Sequence, residues 1–341
     1  MGRRGVSVQL RRSRRARLED KDMAQHGFAL GTFDNGTGPF PGLVVDETVY
    51  DTRQVVPHPT VAALLTDWEA SFPALTTAAA APAGDGVPVS GLRVLPPVTP
   101  PGQLFAAGAN YRQHVIEMAV AHKLGAVGAE PEQLAAAAAR EIDERKEHGE
   151  PYVWCGVPSS ISGAYDDVVL PSGWDDHDWE LELGVVIGRR ARHVTIAGAL
   201  DYVAGYTICN DLTTRSLVPR KDIPMMGTDW MRAKNFPTFF PTGPVLVPAA
   251  FVPDPLNLGI RLRLNGETMQ DSNTGDMIFG PAELISYISR FAELRPGDMV
   301  ITGSPPGNGS HWGRYLRPGD VMECEIDGLG VQRTRCVAEA D

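Results

Sequence analysis

Several features that would assign a function class are scarce or absent in this sequence. The four cysteines (Cys155, Cys209, Cys324 and Cys336) are scattered and form no CxxC pair, so we expect reduced, buried thiols rather than a disulfide framework or a zinc site. No run of about 18 apolar residues occurs, so no membrane-spanning helix is predicted. The Gly/Pro loop that ends at Gly309 lacks the Gly-Lys-Ser/Thr end of a phosphate-binding loop, and no GxGxxG is present. The cysteine pattern favours a cytoplasmic protein.

The chain is acidic apart from its first 22 residues. Residues 1–22 carry 8 Lys+Arg and 3 Asp+Glu, and the whole chain carries 31 and 42, so residues 23–341 hold 23 against 39, a net charge of −16. A body of that sign repels nucleic acid and anionic membranes, so we expect neither as a partner. The basic run has no apolar segment behind it, which argues against a signal peptide. We expect residues 1–22 to be a disordered basic extension; a nucleic-acid-binding arm is the alternative.

Length and composition predict a β-rich chain of two unequal parts. With 36 Gly and 28 Pro in 341 residues, turns are frequent, which favours many short strands over long helices. Residues 23–95 are predicted to form a small N-terminal domain with short strands, a helix over about 60–72 and a loop over 76–88. The proline-rich segment 96–103 is predicted to be a linker, and residues 104–341 the larger domain.

The most informative stretch is Trp179-Glu-Leu-Glu-Leu-Gly-Val-Val-Ile187, which predicts a buried strand. Residues two apart on a strand face the same side, so Glu180 and Glu182 would point into one space. Two carboxylates at close range repel each other unless one is protonated or a cation lies between them. Mg²⁺ and Ca²⁺ prefer carboxylate oxygens, usually with a third protein ligand. The alternative is the solvated face of an amphipathic strand.

Two other segments supply candidate polar groups. Asp211 ends a predicted strand 29 positions after Glu182, so a neighbouring strand can bring it beside the pair; a turn former or N-cap is the alternative. His114 and Glu117 lie three residues apart on a predicted helix, so they share a helical face. A carboxylate beside an imidazole orients its tautomer and makes a usable general base, whereas the alternative is a surface or packing histidine.

Two longer helical segments are predicted. Residues 118–150 are rich in Ala and Glu, and their charges predict an exposed helix that is either a lid or inert surface. Pro281 opens an amphipathic helix that ends at Phe291. A final hairpin is predicted over 321–337.

Six motifs, in this order, resemble the fumarylacetoacetate hydrolase family, and they cover roughly residues 104–337. The matching stretches are Gly108-Ala-Asn-Tyr-Arg-Gln-His-Val-Ile-Glu117, Trp179-Glu-Leu-Glu-Leu-Gly184, Gly205-Tyr-Thr-Ile-Cys-Asn-Asp211, Lys234-Asn-Phe236, Gln270-Asp-Ser-Asn-Thr-Gly-Asp-Met-Ile-Phe279, and Leu294-Arg-Pro-Gly-Asp298 with Ile301-Thr-Gly-Ser-Pro-Pro-Gly307. The resemblance implies a β-rich α+β fold, namely a mixed β-roll preceded by a small N-terminal α/β unit. It also implies a homodimer with one Mg²⁺ (or Mn²⁺, with Ca²⁺ as a further alternative) at the mouth of the roll.

The resemblance assigns roles to individual residues. The family's metal ligands correspond to Glu180, Glu182 and Asp211. Its catalytic positions correspond to the dyad His114 and Glu117 and to the substrate-side lysine, Lys234. Substrate contacts are expected from Tyr111, Arg112 and Ser304 in the matching motifs and from Arg215, which follows shortly after Asp211.

The resemblance also implies the chemistry. Family members hydrolyse C–C bonds in acylpyruvates, decarboxylate oxaloacetate-like acids, or isomerise or hydrate related oxo acids. We expect a metal-dependent hydrolase that cleaves a C–C bond of a β-diketo or acylpyruvate-type 2-oxo acid through a metal-stabilised enolate. A decarboxylase, tautomerase or hydratase with the same site is the first alternative, and a non-catalytic binding protein on the same fold is the second.

The sequence departs from the family pattern after the last metal ligand. Val218 stands where many members carry a substrate-contacting Gln, and residues 219–231 are lengthened and partly apolar. These differences predict a substrate with a bulkier apolar tail. The tail is expected to lie against Met225, Met226 and Trp230.

Overall fold

The computed structural model describes residues 27–121, 123 and 128–340, so the predicted extension 1–22 lies outside the described residues. The helices are α1 (Val61–Leu65), α2 (Trp68–Ala80), α3 (Arg112–Ala121), α4 (Pro131–His148), α5 (Trp230–Lys234), α6 (Pro281–Phe291) and α7 (Gly309–Trp312). The strands are β1 (Ala29–Asp34), β2 (Pro39–Val45), β3 (Thr48–Asp51), β4 (Val87–Pro88), β5 (Arg93–Leu95), β6 (Leu104–Gly108), β7 (Tyr152–Gly156), β8 (Ile161–Gly163), β9 (Val168–Leu170), β10 (His177–Asp178), β11 (Leu181–Ile187), β12 (Val203–Asn210), β13 (Thr213–Thr214), β14 (Phe240–Thr242), β15 (Val247–Pro248), β16 (Gly259–Leu264), β17 (Glu267–Asn273), β18 (Met299–Ile301), β19 (Val321–Ile326) and β20 (Gly330–Ala338).

The leading part of the chain forms a five-stranded antiparallel sheet in the order β4-β3-β2-β1-β5. The helix predicted over 60–72 is instead two helices: α1 ends at Leu65, and the hydroxyl of the next residue, Thr66, donates a hydrogen bond to the Ala63 carbonyl at 2.7 Å. α2 then continues to Ala80, into the segment predicted as a loop. Leu30 of β1 exchanges backbone hydrogen bonds of 2.8 and 2.7 Å with Leu246, so this sheet joins the rest of the molecule directly. The assignment of 23–95 as a separate domain stays a prediction.

Two curved sheets form the larger part of the fold. One follows the order β7-β6-β18-β11-β12-β14-β8, and it is mixed because β6 and β18, like β14 and β8, run parallel. The other follows the order β17-β16-β19-β20-β9. The sheets pack face to face: Leu183 and Ile208 of the first share one hydrophobic cluster with Leu262 and Cys324 of the second. The cysteines are free thiols and three are buried as expected, whereas Cys155 is exposed, so the expectation of burial is wrong for that residue. The predicted β-rich α+β fold with a mixed β-roll is confirmed.

The pairing of β11 with β12 positions the functional site. Both strands are buried along their whole length, as the apolar runs after Glu182 on β11 and before Asn210 on β12 predict. They are antiparallel, with Leu181 opposite Asn210 and Glu182 opposite Cys209. The start of β11 therefore lies beside the end of β12, and the backbone N–H of Asp211 donates to the Glu180 carbonyl at 2.9 Å.

Helices cover part of the roll. α6 has the predicted bounds and buries one apolar face, and Pro281 occupies its first turn as expected. The predicted segment 118–150 contains the end of α3 and all of α4. α4 buries Leu134, Ala138 and Ile142, so its apolar face packs inward rather than being wholly exposed. Among the described residues, no helix has the length and apolar character needed to cross a membrane.

Candidate metal centre and active site

The structure brings the three predicted metal ligands together. Glu180, Glu182 and Asp211 each offer one carboxylate oxygen, and these oxygens all lie within 4.8 Å of one another. The residues are 7%, 1% and 1% exposed, so the carboxylates are removed from bulk water. The solvated-strand alternative is therefore wrong for Glu180 and Glu182.

Burial and mutual repulsion shift the proton affinities of this triad. Burial raises the pKa of Glu182 well above its ordinary value, and the nearby Asp211 and Glu180 carboxylates raise it further. Burial also raises the pKa of Asp211 to about 7, although Lys234 opposes the shift. For Glu180, burial acts to raise the pKa, but the pKa is lowered overall, chiefly by the charges of Lys234 and Arg215. The triad therefore holds its full negative charge only when positive charge beyond that of Lys234 and Arg215 lies close by.

Lys234, at the end of α5, is buried against the triad. Its Nζ donates to Glu180 Oε2 at 2.7 Å and to Asp211 Oδ2 at 2.5 Å. The same ammonium lies 5.5 Å from the ring centroid of Trp154 and 5.4 Å from that of Trp230, a distance at which cation–π attraction operates. The aromatic pair thus fixes the lysine on one side and the carboxylates fix it on the other.

Arg215 supplies the second cation. Its Nε donates to Asp178 Oδ2 at 2.7 Å, and its Nη2 lies 2.7 Å from Glu180 Oε1. Asp178 is fully buried and also accepts hydrogen bonds from the backbone of Gly309 and from Ser310. Arg215 therefore links a metal-ligand candidate to the loop around α7, and sequence reasoning missed its partner Asp178.

The donor set fits a hard divalent cation. The four carboxylates just described carry two more negative charges than Lys234 and Arg215 balance when all are ionised. Asp211 Oδ1 is buried without a hydrogen-bond partner in the described part of the chain, so one ligand oxygen is unused by the protein. The three candidate ligands offer only oxygen, which is the preference of Mg²⁺ and Mn²⁺.

A cavity of about 550 Å³ opens onto this centre. The predicted site residues that line it are His114, Glu180, Glu182, Arg215, Lys234 and Ser304. Much of the remaining wall is apolar and comes from α3, α4 and two tryptophans, namely Val115, Met118, Ala138, Ile142, Trp154 and Trp230. α4 thus covers a substrate-sized space, which favours the lid over the inert surface among the two alternatives.

The predicted dyad lies on α3 at the cavity wall. His114 is 8% exposed and lines the cavity. Glu117 is one helical turn away, and its Oε2 accepts a hydrogen bond from the Gly307 backbone N–H at 3.1 Å. The same Oε2 lies 3.2 Å from Nδ1 of His311 on α7. Sequence reasoning missed His311 because it lies in a different part of the chain, far from α3.

The other predicted substrate contacts fall in three different environments. Ser304 lines the cavity, and its hydroxyl accepts a hydrogen bond from Gln270 Nε2 at 2.9 Å. Tyr111 is fully buried, and burial together with the Glu182 and Asp276 charges raises its pKa well above 10. Tyr111 and Arg112 are absent from the cavity wall. Arg112 instead makes a two-point ion pair with Asp143 of α4, at 2.9 and 3.0 Å.

The expected tail-binding side chains are only partly in place. Trp230 lines the cavity, whereas Met225 and Met226 are 91% and 68% exposed and line none of it. The prediction of these two methionines as tail contacts is therefore wrong, because the backbone of 219–227 turns them to the surface. Trp154 and the α4 side chains form the wall instead. The sequence signal for the α4 side chains was the apolar face of the 131–148 helix, and Trp154 had no such signal.

The fold and the site together define a β-roll protein with a buried oxygen-ligand centre beneath a largely apolar cavity. Comparisons with known proteins assign this class to a family. The sequence model described as fumarylacetoacetate (FAA) hydrolase C-terminal matches residues 103–337. The chain therefore belongs to the fumarylacetoacetate hydrolase family, as the motif order indicated.

Two curated relatives and two solved structures illustrate the range of named activities among the proteins that this chain resembles. The chain is 37% identical over 247 residues to human oxaloacetate tautomerase FAHD2B, mitochondrial, covering 72% of this chain and 69% of the relative. It is 38% identical over 299 residues to 2,4-didehydro-3-deoxy-L-rhamnonate hydrolase of Sphingomonas sp. (strain SKA58), covering 86% and 90%. Maleylpyruvate hydrolase of Sphingobium sp. SYK-6, solved with manganese(II) and pyruvate, aligns with a TM-score of 0.70 and 26% identity over 92% of this chain and all of that one. Fumarylacetoacetate hydrolase of Exiguobacterium antarcticum gives 0.71 and 25% over the same shares. The chain is an enzyme of this superfamily.

Proposed function

We propose that this enzyme is a divalent-metal-dependent hydrolase that cleaves the C–C bond of an acylpyruvate-type 2-oxo acid. The observation that carries the proposal is the buried triad Glu180, Glu182 and Asp211, whose two glutamates line a cavity together with a histidine one helical turn from a carboxylate. The relatives named as hydrolases support hydrolytic cleavage, and the manganese and pyruvate in one of those structures support the cofactor and the substrate class.

Each cavity residue has a distinct task in this reaction. A divalent cation held by the triad would supply the positive charge that stabilises an enolate as the C–C bond breaks. Lys234 and Arg215 add fixed positive charge beside the same oxygens. His114 lies at the cavity wall, where its imidazole takes a proton from the attacking water, and Glu117 one turn away stabilises the charged ring. Such base catalysis contributes about 10²–10⁴-fold.

The cavity supports a substrate larger than pyruvate with a tail that is mainly apolar. Its volume of about 550 Å³ lies in the range of sites that enclose drug-sized ligands. Ile142, Met118 and Trp230 offer apolar contact surface to such a tail. We therefore propose an acyl chain of several carbons, held under α4.

A tautomerase is the second candidate function. The relative at 37% identity is named an oxaloacetate tautomerase, and tautomerisation needs the same enolate stabilisation and the same base. Decarboxylation and hydration of oxo acids use this chemistry as well. The small-molecule oxo acid as partner, the homodimer and the cytoplasmic location stay predictions.

Turnover assays separate these candidates. Purified enzyme is incubated with Mg²⁺ and either acetylpyruvate, butanoylpyruvate or oxaloacetate, while pyruvate, CO₂ and the dicarbonyl absorbance are followed. We expect pyruvate release from both acylpyruvates, faster from the longer one, and loss of this activity in His114→Ala. The matched control is His58→Ala, a histidine paired with Asp67 in the leading unit at 3.5 Å. Enolisation of oxaloacetate without any pyruvate release from acylpyruvates would favour the tautomerase.

A further inference from the structure

Glu117 has a second neighbour that the predicted dyad does not include. Nδ1 of His311 lies 3.2 Å from Glu117 Oε2, and the His311 and Glu117 side chains are 37% and 19% exposed. His114 is 8% exposed and lines the cavity, whereas neither Glu117 nor His311 is part of the cavity wall. Exposure therefore increases in steps from the cavity histidine through the carboxylate to the second histidine.

The contact is held by rigid backbone. Gly307 donates its N–H to Glu117 Oε2, and its carbonyl accepts hydrogen bonds from the indoles of Trp179 and Trp312 at 3.1 and 3.0 Å. Gly307 has φ +93°, and a Cβ there would collide with the Met269 carbonyl oxygen. Only glycine fits this position, so the carboxylate meets a fixed partner. The loop that carries α7 is thereby docked onto α3 at Glu117.

Hydrolysis at this site must release a proton. An acylpyruvate anion and water give a carboxylate, a pyruvate anion and one H⁺. The water oxygen bonds to the acyl carbon and the C–C bond breaks. The pyruvate fragment takes that electron pair and one water proton at its methyl carbon. The other water proton has to leave a buried base while substrate and product fill the cavity. Tautomerisation, in contrast, releases no net proton.

We propose that His311 is a proton-relay residue that carries this proton from Glu117 to bulk water. The inference rests on the proposed hydrolase function. Glu117 receives the proton from the His114 ring and transfers it to Nδ1 of His311 when the neutral ring is in the tautomer that carries its hydrogen on Nε2. Nε2 then gives its hydrogen to solvent, and exchange of the ring tautomer restores the starting state. The exposed ring makes direct proton exchange with buffer possible.

Buffer rescue tests the relay. Hydrolysis of acetylpyruvate with Mg²⁺ is measured by pyruvate release in wild type, His311→Ala, His311→Asn and the control His58→Ala, each at low and at high imidazole concentration. We expect kcat of both His311 variants to fall about tenfold at low imidazole, with KM unchanged, and to recover at high imidazole. Wild type and His58→Ala should not respond to imidazole.

The His311→Asn variant separates proton transfer from positioning. The asparagine side chain retains an N–H donor for Glu117 but does not titrate, so wild-type kcat in His311→Asn would overturn the relay. A His311→Ala enzyme as fast as wild type at low imidazole would overturn it too, as would a slow variant that imidazole does not rescue. Thermal melting of both variants identifies misfolding, and the His311→Asn variant then decides. Absence of pyruvate release from wild type would overturn the proposed function together with the relay.

Discussion

Lys234→Met removes one of the two cations that balance the charge of the centre. Methionine keeps an unbranched apolar stem but removes the ammonium, which bonds Glu180 Oε2 at 2.7 Å and Asp211 Oδ2 at 2.5 Å. The lysine side chain is only 3% exposed. Removing one member of a buried ion pair costs about 3–5 kcal/mol, because the partner is left buried and uncompensated. We expect a loss near the lower limit, about 3 kcal/mol, since Asp211 can then take up a proton.

Urea denaturation measures this effect. The free energy of unfolding is determined for wild type, Lys234→Met and the exposed-lysine control Lys221→Met, first with a chelator and then with Mg²⁺. The control should stay within about 0.5 kcal/mol of wild type. Mg²⁺ should stabilise Lys234→Met more than wild type, because the cation replaces the lost charge beside the triad. A Lys234→Met protein as stable as wild type in chelator would refute the reasoning.

Three further changes test other parts of the structure. Arg112→Ala removes an exposed ion pair with Asp143, so the free energy of unfolding should fall by less than about 1 kcal/mol and KM should not change. A rise in KM of about tenfold in turnover assays would instead support the predicted substrate contact of Arg112. Gly307→Ala should lower the free energy of unfolding, measured with urea, by at least about 2 kcal/mol. Residue 307 has a left-handed backbone conformation, and the new methyl group would collide with the Met269 carbonyl oxygen. A change within about 0.5 kcal/mol would contradict this. In chelator, the free energy of unfolding of wild type minus that of Asp211→Asn should fall as the pH rises from about 4 to about 7. A difference that stays constant with pH would contradict the raised pKa of Asp211.

The sign of that pH effect follows from the raised pKa. Burial lifts the pKa of Asp211 from 3.8 to about 7, so the folded protein binds the proton more tightly than the unfolded chain does. The stability that protonated Asp211 contributes is fully present when the pH is below its pKa in the unfolded chain. It is lost as the pH rises through its pKa in the folded protein. Asp211→Asn has no such proton, which makes it the reference.

The β-strands of the site could be predicted because their signals are local. The alternation at 179–183 and the apolar runs on β11 and β12 indicate two buried strands, and antiparallel pairing then brings Glu180, Glu182 and Asp211 together. α6 was predicted with its correct bounds since proline at its start and a regular apolar spacing define it.

Features that depend on distant parts of the chain were not predictable in this way. One local feature was also missed: α1 and α2 are separated at Thr66, whose hydroxyl bonds the Ala63 carbonyl, and propensity over 60–72 does not reveal this break. The exposed Met225 and Met226 are apolar, yet their loop turns them outward. The contact between Glu117 and His311 joins two segments that only the tertiary fold brings together. The family resemblance indicated which motifs share a site but not these contacts.

Titration calorimetry of Mg²⁺ into wild type, Glu182→Gln and Glu141→Gln tests most directly whether the buried carboxylates hold a divalent cation. Glu182→Gln mimics the protonated side chain that the raised pKa favours, so it should fold as stably as wild type in chelator. Glu141 lines the same cavity but is exposed, which makes it the matched control. We predict one Mg²⁺ per chain in wild type and Glu141→Gln, and affinity at least about tenfold weaker in Glu182→Gln. Equal affinity in all three proteins would contradict the metal centre.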